Sequence, residues 1–94
     1  MAPAKLAVEI TWHRGDRKRA FRLSRAIDPE RIYFSRPLPF PAGEPAEARF
    51  ALPGDARPIA ATVMLHERDA EFLGIEAADR ARIVAYFKER LGLP

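Results

Sequence analysis

The sequence predicts a mainly β protein, a small six-stranded antiparallel barrel with one C-terminal α-helix. Apolar and polar residues alternate along several short segments, which is the two-residue period of half-buried strands. Glycine, proline and aspartate turn signals separate these segments. A helical spacing of apolar residues occurs near the C-terminus, and closure into a barrel would remove the exposed edges of so many short strands.

The first two predicted strands form a hairpin. One strand runs from Leu6 to Trp12, and the second begins at Phe21 after the turn signal Gly15-Asp16. Trp12 and Phe21 are in phase with the other apolar residues of their strands. We therefore expect both rings to lie in the core.

The third predicted strand, Arg31 to Arg36, follows the turn Asp28-Pro29-Glu30 and precedes a proline-rich segment. Positions 37, 39, 41 and 45 are all proline, and proline cannot donate the hydrogen bonds that a central strand needs. We therefore expect a loop over residues 37–45, with Leu38 and Phe40 directed into the core.

Three further strands are predicted at residues 46–52, 58–66 and 71–77. Gly74 lies in the middle of the last one, which indicates a bulge or the close approach of another backbone. The 94 residues are expected to form one domain, residues 1–94, around a single core.

One helix is predicted, over about residues 79–91. Asp79 suits the N-cap, and Gly92 suits the C-terminal stop. The apolar side chains fall on one helical stripe, formed by Ile83, Val84, Phe87 and Leu91. The stripe needs a partner, so we expect the helix to pack on the sheet or to seal one mouth of the barrel.

The charge is unevenly distributed along the chain. The net charge is +3, but residues 1–36 hold nine basic and four acidic residues, while residues 37–94 hold seven basic and nine acidic ones. Six basic residues cluster around the first hairpin: Arg14, Arg17, Lys18, Arg19, Arg22 and Arg25. Such a cluster can bind an anion, a nucleotide, a nucleic acid or an acidic protein surface. The alternative is a hairpin that is merely charged and solvent-exposed.

Several kinds of chemistry find no support in the sequence. There is no cysteine, and the two histidines, His13 and His66, do not have the spacing of metal ligands. Neither a GxSxG nucleophile motif nor a glycine-rich phosphate loop occurs. We therefore expect no enzyme, no cofactor and no metal. No apolar run approaches the roughly 20 residues of a membrane span, so we expect no membrane insertion. The lack of cysteine fits a reducing cytosol, and residues 1–5 lack the apolar core of a signal peptide, so we expect a cytoplasmic location.

The order of the predicted elements resembles the PilZ family of small bacterial β-barrels. The similarity covers roughly residues 5 to 91 and is carried by five segments: Phe40-Pro41-Ala42-Gly43-Glu44, Ala48 to Pro53, Pro58 to Val63, Phe72-Leu73-Gly74-Ile75-Glu76, and Arg82 to Phe87. These resemble the family's proline-glycine strand entry, its middle strands and its C-terminal amphipathic helix. The resemblance implies a barrel that serves bacterial cyclic di-GMP signalling.

Two motifs by which PilZ domains bind cyclic di-GMP are missing from this chain. No RxxxR pair occurs anywhere, and Arg14/Lys18 and Lys18/Arg22 have the nearest spacings. The second motif, [D/N]xSxxG, would fall on residues 26–31, where Ala26, Asp28 and Arg31 replace its three defining residues. The family's ligand residues therefore cannot be transferred to this sequence.

Family members without these motifs tend to act through protein contacts. The resemblance thus implies an adaptor in cyclic di-GMP-linked regulation or surface motility, with a protein partner and with weak or no direct nucleotide binding. Two alternatives remain open. The basic cluster could bind cyclic di-GMP directly in a non-standard way, or the barrel could bind RNA or DNA, with an affinity that falls steeply with salt.

Overall fold

The computed structural model describes residues 1–12 and 19–92, with the side chain of Arg19 left aside. In this part of the chain seven strands and one helix form, in the order β1 (Ala2–Pro3), β2 (Ala7–Trp12), β3 (Arg19–Ile27), β4 (Arg31–Phe34), β5 (Pro45–Phe50), β6 (Ile59–Leu65), β7 (Asp69–Gly74) and α1 (Ala77–Leu91).

The strands close into an antiparallel barrel. The order around the sheet is β1-β3-β2-β5-β6-β7-β4, and β4 also pairs with β3, which closes the ring of six strands from β2 to β7. The short strand β1 is an addition, paired with the end of β3 through Ala2 and Ile27. The predicted six-stranded antiparallel barrel with a C-terminal helix is confirmed.

The core lies inside the barrel and follows the alternation of the strands. The largest side chains that are fully buried are Ile10, Ile27, Ile32, Ile59, Leu65, Ile83, Val8 and Val63. Leu38 and Phe40 are buried as well, so the proline-rich loop contributes to the core as predicted. Trp12 packs against this core from its edge, with its ring centroid 5.9 Å from that of Phe40.

Strand boundaries differ from the predictions where pairing partners end. The third predicted strand stops at Phe34 rather than at Arg36, and the last one stops at Gly74. The register of β7 against β6 shifts between Gly74, which pairs with Thr62, and Phe72, which pairs with Val63. This irregularity leaves Leu73 as the extra residue, next to the glycine for which we expected a bulge or the close approach of another backbone. Strand β1 was not predicted, because two residues are too few to show a period.

The helix begins earlier than predicted. Its first residue is Ala77, and its N-cap is Glu76, which forms no side-chain capping bond. Asp79 lies in the first turn instead, where its carboxylate accepts a hydrogen bond from Arg82 at 2.8 Å. Gly92 ends the helix in the left-handed conformation, with φ of 68°, as expected for this stop.

The buried face of the helix is also rotated relative to the predicted stripe. Ile83 and Tyr86 are buried, Phe87 packs partly against the core, and Leu91 is 41% exposed. The spacing of Ile83, Tyr86 and Phe87 is again that of one helical face. On this inner side the hydroxyl of Tyr86 donates to the carbonyl oxygen of Pro3 at 2.8 Å.

No helix in the described ranges is both long and apolar enough to cross a membrane.

Candidate functional site

The structure places only part of the predicted basic cluster. Three members lie outside the described residues: Arg14, Arg17 and Lys18. Arg19 is described by its backbone, as the first residue of β3. Arg22 is half-buried and Arg25 is exposed. The candidate site is therefore built from the part of β3 that follows Arg19.

The ring of Phe21 is exposed, so the prediction that it lies in the core is wrong. Phe21 and Leu23 are 67% and 71% exposed. The cause is the register between β2 and β3, in which Val8 pairs with Arg22. Val8 is fully buried inside the barrel, and paired residues share one face of a sheet. Arg22 is thus on the inner side, and Phe21 and Leu23 are on the outer side.

The two edges of β3 are paired over different lengths. Against β2 the register covers Arg19 to Leu23, whereas against β4 it covers only Ser24 to Ile27. The partner strand β4 ends because the chain turns towards the β6–β7 connection, where the N–H of Phe34 donates to the carbonyl oxygen of Arg68 at 2.8 Å. Within residues 1–12 and 19–92, no strand is registered on the β4 side of the segment from Arg19 to Leu23.

Backbone groups of Phe21 point to this open edge. The N–H of Ser24 donates to the carbonyl oxygen of Leu6 at 2.9 Å, on the β2 side. Because successive residues of a strand direct their N–H and C=O groups to opposite edges, those of Arg22 face β2 and those of Phe21 face away from it. The carbonyl oxygen of Phe21 accepts a hydrogen bond of 3.3 Å from the Arg22 guanidinium.

A depression of about 250 Å³ lies beside the open edge, and we refer to it as the β3 groove. The groove is lined by Phe21, Arg22, Leu23, Phe34, Ser35 and Arg36. None of these six described residues is acidic, two are arginine and three are apolar. Exposed apolar side chains between guanidinium groups are suited to a partner that is both apolar and negatively charged.

A β-bulge separates the β3 groove from the other end of the same strand. We refer to that end, Ser24 to Ile27, as the closed end, because β4 pairs with it. The register against β4 passes from Ser24 to Ala26 while β4 advances by one residue, which leaves Arg25 as the extra residue. A bulge bends its strand and increases the local twist. It places the exposed Arg25 next to the segment that carries Phe21 and Leu23.

The closed end of β3 holds a polar network around Asp28. Its carboxylate accepts hydrogen bonds from the N–H groups of Glu30 and Arg31, at 2.7 and 2.9 Å, and from the hydroxyl of Tyr33 at 2.8 Å. Burial of the phenol, together with this bond to Asp28, raises the pKa of Tyr33 to about 12. Arg31 in turn donates to Asp69 at 3.1 Å. These groups fix the β3–β4 turn and are already engaged with one another.

Arg82 ties the helix to the β5–β6 connection. Its Nε donates to Asp55 at 3.0 Å, and its Nη1 donates to Asp79 at 2.8 Å. The hydrogen bond from Arg82 is the main cause that lowers the pKa of Asp55. The pair holds α1 against the barrel, which is a structural role.

A larger depression, of about 460 Å³, lies near the end of the helix. Two of its polar side chains, those of Tyr86 and Arg90, already have partners. The Tyr86 hydroxyl donates to Pro3, and the Arg90 guanidinium lies 5.2 Å from the centre of the Tyr86 ring. The β3 groove is therefore better suited to an external partner, because its exposed apolar side chains lie beside a strand edge that no other described strand covers.

Sequence reasoning found Arg22 and Arg25 but missed Leu23, Phe34 and Arg36 as members of one surface. The alternation through β3 admits two registers, and a shift by one residue exchanges the inner and outer faces. The signal that decides between them is Val8 and Ile10 in the partner strand. Both are bulky and fully buried, so they take the inner positions.

The described residues bring together no group of three or more histidine, cysteine, aspartate or glutamate side chains that could hold a metal ion. No family model, no curated protein and no solved structure matches this chain.

Proposed function

We propose that this chain is a non-enzymatic adaptor domain that resembles PilZ domains and acts in bacterial cyclic di-GMP-linked regulation, in the cytoplasm. It contacts a protein partner through the β3 groove. The observation that carries the proposal is the exposure of Phe21 and Leu23, on a stretch of β3 that no described strand pairs on its β4 side. An uncovered apolar edge is a liability that folded proteins normally block or use.

The positions of the missing nucleotide motif favour protein contact over nucleotide binding. Ala26 is buried, and the Asp28 carboxylate is taken up by the turn and by Tyr33. Arg31, at the position of the motif's glycine, is paired with Asp69. These groups serve the fold, so a nucleotide base would have to compete with existing hydrogen bonds.

Site-specific photocrosslinking tests the adaptor function in the organism that carries the gene. A photoreactive phenylalanine analogue replaces Phe21, and in a matched control it replaces Leu73, which is 52% exposed on β7. We expect the probe at position 21, but not the probe at position 73, to form a discrete adduct with one protein. Identical adducts, or none at either position, would contradict the proposal.

The alternative, direct binding of cyclic di-GMP, is favoured by one observation, the approach of Arg22 and Arg36 to the same groove. Calorimetric titration with cyclic di-GMP at about 0.15 M salt separates the two functions. The adaptor predicts no saturable heat. Saturable binding tighter than about 10 μM that is lost in an Arg22→Ala/Arg36→Ala variant would instead make the chain a nucleotide sensor. A nucleic-acid site would show a steep salt dependence with oligonucleotides.

A further inference from the structure

We infer that the β3 groove binds its partner by strand addition: an extended acidic segment of another protein pairs with β3 at its open edge, along the line that β4 leaves vacant. The inference rests on the proposed function and specifies both the mode of contact and the chemistry of the partner.

The backbone of β3 supplies the first argument. Phe21 lies three positions before Ser24, where pairing with β4 stops, and its N–H and C=O groups face the open side. The Phe21 carbonyl accepts only a long side-chain hydrogen bond, of 3.3 Å, in the described structure. An incoming strand can replace that bond with a backbone N–H and can accept from the Phe21 N–H, which is how peptides extend exposed sheet edges.

The path of β4 supplies the second argument. Beyond Phe34 the chain leaves the sheet, and the N–H of Leu38 donates to the carbonyl oxygen of Glu67 at 2.8 Å. The space beside Phe21 and Leu23 is therefore not filled by the continuation of β4, and it forms the β3 groove. Both strands of a pair advance by about 3.3 Å per residue, so an added segment of about four residues is long enough to cover Ala20 to Leu23.

Side chains define what the segment must carry. In an added strand, the side chains opposite Phe21 and Leu23 lie on the same outer face, so bulky apolar residues at every second position extend that apolar patch. Arg22 and Arg36 line the groove, and the exposed Arg25 follows it at the bulge. These charges favour aspartate and glutamate at the remaining positions and at the ends of the segment. Glu9 lies opposite Phe21 in β2, on the far side from the open edge.

Charge also argues against a second copy of this chain as the occupant. Pairing two β3 edges would bring two sets of these arginines together, and like charges at an interface are unfavourable. Residues 14–19 of the sequence hold four more basic residues, Arg14, Arg17, Lys18 and Arg19, against one acidic residue, Asp16. An acidic heterologous segment meets no such repulsion.

A random 12-residue peptide library displayed on phage provides the probe, selected on the immobilised full chain. We expect enrichment of peptides with alternating apolar residues and an excess of aspartate and glutamate. Free peptides from the selection are then measured by fluorescence anisotropy. Binding should weaken at least about tenfold in a Phe21→Ser/Leu23→Ser variant and should stay unchanged in the control variant Leu73→Ser.

A second pair of variants tests charge. Arg25→Ser/Arg36→Ser should weaken binding, and Arg49→Ser/Arg68→Ser, which removes the same charge from exposed positions outside the groove, should have a smaller effect. If the two variants weaken binding equally, the arginines act only through the net charge of the protein. That result would overturn the inference that the partner segment is acidic.

Backbone N-methylation of the selected peptide separates strand addition from simple side-chain docking. Methyl groups on the amides that face β3 should weaken binding about tenfold each, whereas methyl groups on the alternate amides should leave it within about twofold. If binding needs Phe21 and Leu23 but is insensitive to the methylation pattern, strand addition is wrong while the adaptor function stands.

Two other results would overturn the inference. Selected peptides that bind the Phe21→Ser/Leu23→Ser variant as well as the unchanged chain, or a selection without acidic enrichment, exclude an acidic strand at this edge. Concentration-dependent dimerisation that the same double variant abolishes, measured by sedimentation, would assign the edge to a second copy. The photocrosslink from position 21 tests the adaptor function independently of each of these results.

Discussion

The two halves of β3 belong to one continuous strand but have opposite environments. From Ser24 to Ile27 the strand is paired on both edges, with β4 on one side and with β1 and the residues that follow it on the other. From Arg19 to Leu23 it is paired with β2 alone among the described residues. Ile27 in the first region is fully buried, whereas Phe21 in the second is 67% exposed.

The difference shows that hydrophobicity does not decide the role of a residue in this strand. Ile27 in the doubly paired half stabilises the fold from the core, while Phe21 and Leu23 in the singly paired half face outward and contribute a surface. The bulge at Arg25 marks the boundary between the halves. If the comparison holds, changes in the closed half should cost stability, and changes in the open half should cost binding.

Amide hydrogen exchange of the free protein gives the largest expected contrast. The N–H of Ser24 is bonded to Leu6 and should open only with extensive unfolding, at a free energy of roughly 5 kcal/mol or more. The N–H of Phe21 faces the open edge and should exchange with little protection. Comparable protection of the two amides would show that the edge is covered and would remove the basis of the comparison.

Truncation of core side chains should be the next largest effect. Ile27→Ala removes a fully buried side chain and should reduce the free energy of unfolding by about 2–5 kcal/mol. Phe21→Ala should change it by no more than about 0.5 kcal/mol, because its ring is already in solvent. Denaturant unfolding with unchanged slopes measures both. A loss above about 2 kcal/mol for Phe21→Ala would place that ring in the core after all.

The helix helps to hold strand β1 against the closed half of β3. Tyr86 holds β1 through its hydrogen bond to Pro3, and β1 pairs with the end of β3. Tyr86→Phe should therefore reduce the free energy of unfolding by about 0.5–1.5 kcal/mol. It should also increase the exchange rates of the backbone amides of Ala26 and Ile27. Stability equal to that of the unchanged protein would show that β1 is held without the helix.

The smallest effect concerns the titration of Tyr33 at the closed end. Its pKa is raised to about 12, by burial and by the bond to Asp28, so the folded state favours the protonated phenol. The resulting stabilisation is complete below the ordinary value of 10.0 and is lost as the pH rises towards 12. Phenolate absorbance, taken as the difference from a Tyr33→Phe variant, should show this late titration.

An Asp28→Asn variant provides the matching control for that titration. Without the carboxylate, the pKa of Tyr33 should fall towards its ordinary value but stay above it, because burial of the ring remains. No change in the Tyr33 titration on this substitution would mean that burial alone raises the pKa. The closed end would then be less dependent on its polar network than its geometry indicates.

Particular residues show how far the sequence could predict the site. The cluster of arginines was visible from the sequence, and so was the inward position of Leu38 and Phe40, since a proline-rich loop offers few other places for apolar side chains. The face that Phe21 occupies was predicted wrongly, because both registers of a short alternating strand satisfy the same pattern. The part played by Phe34 and Arg36 was not visible at all, since it depends on where β4 leaves the sheet.

Local periodicity and local backbone preferences encode the mainly β class, the turn at Asp28-Pro29-Glu30, the C-terminal helix and its stop at Gly92, so these features could be predicted from the sequence. The tertiary structure alone decided which edge of β3 stays open, which helical residues are buried and how β1 attaches. These features depend on pairing between segments distant in the chain. The buried side chains of β2 fix that pairing, and the departure of β4 limits it.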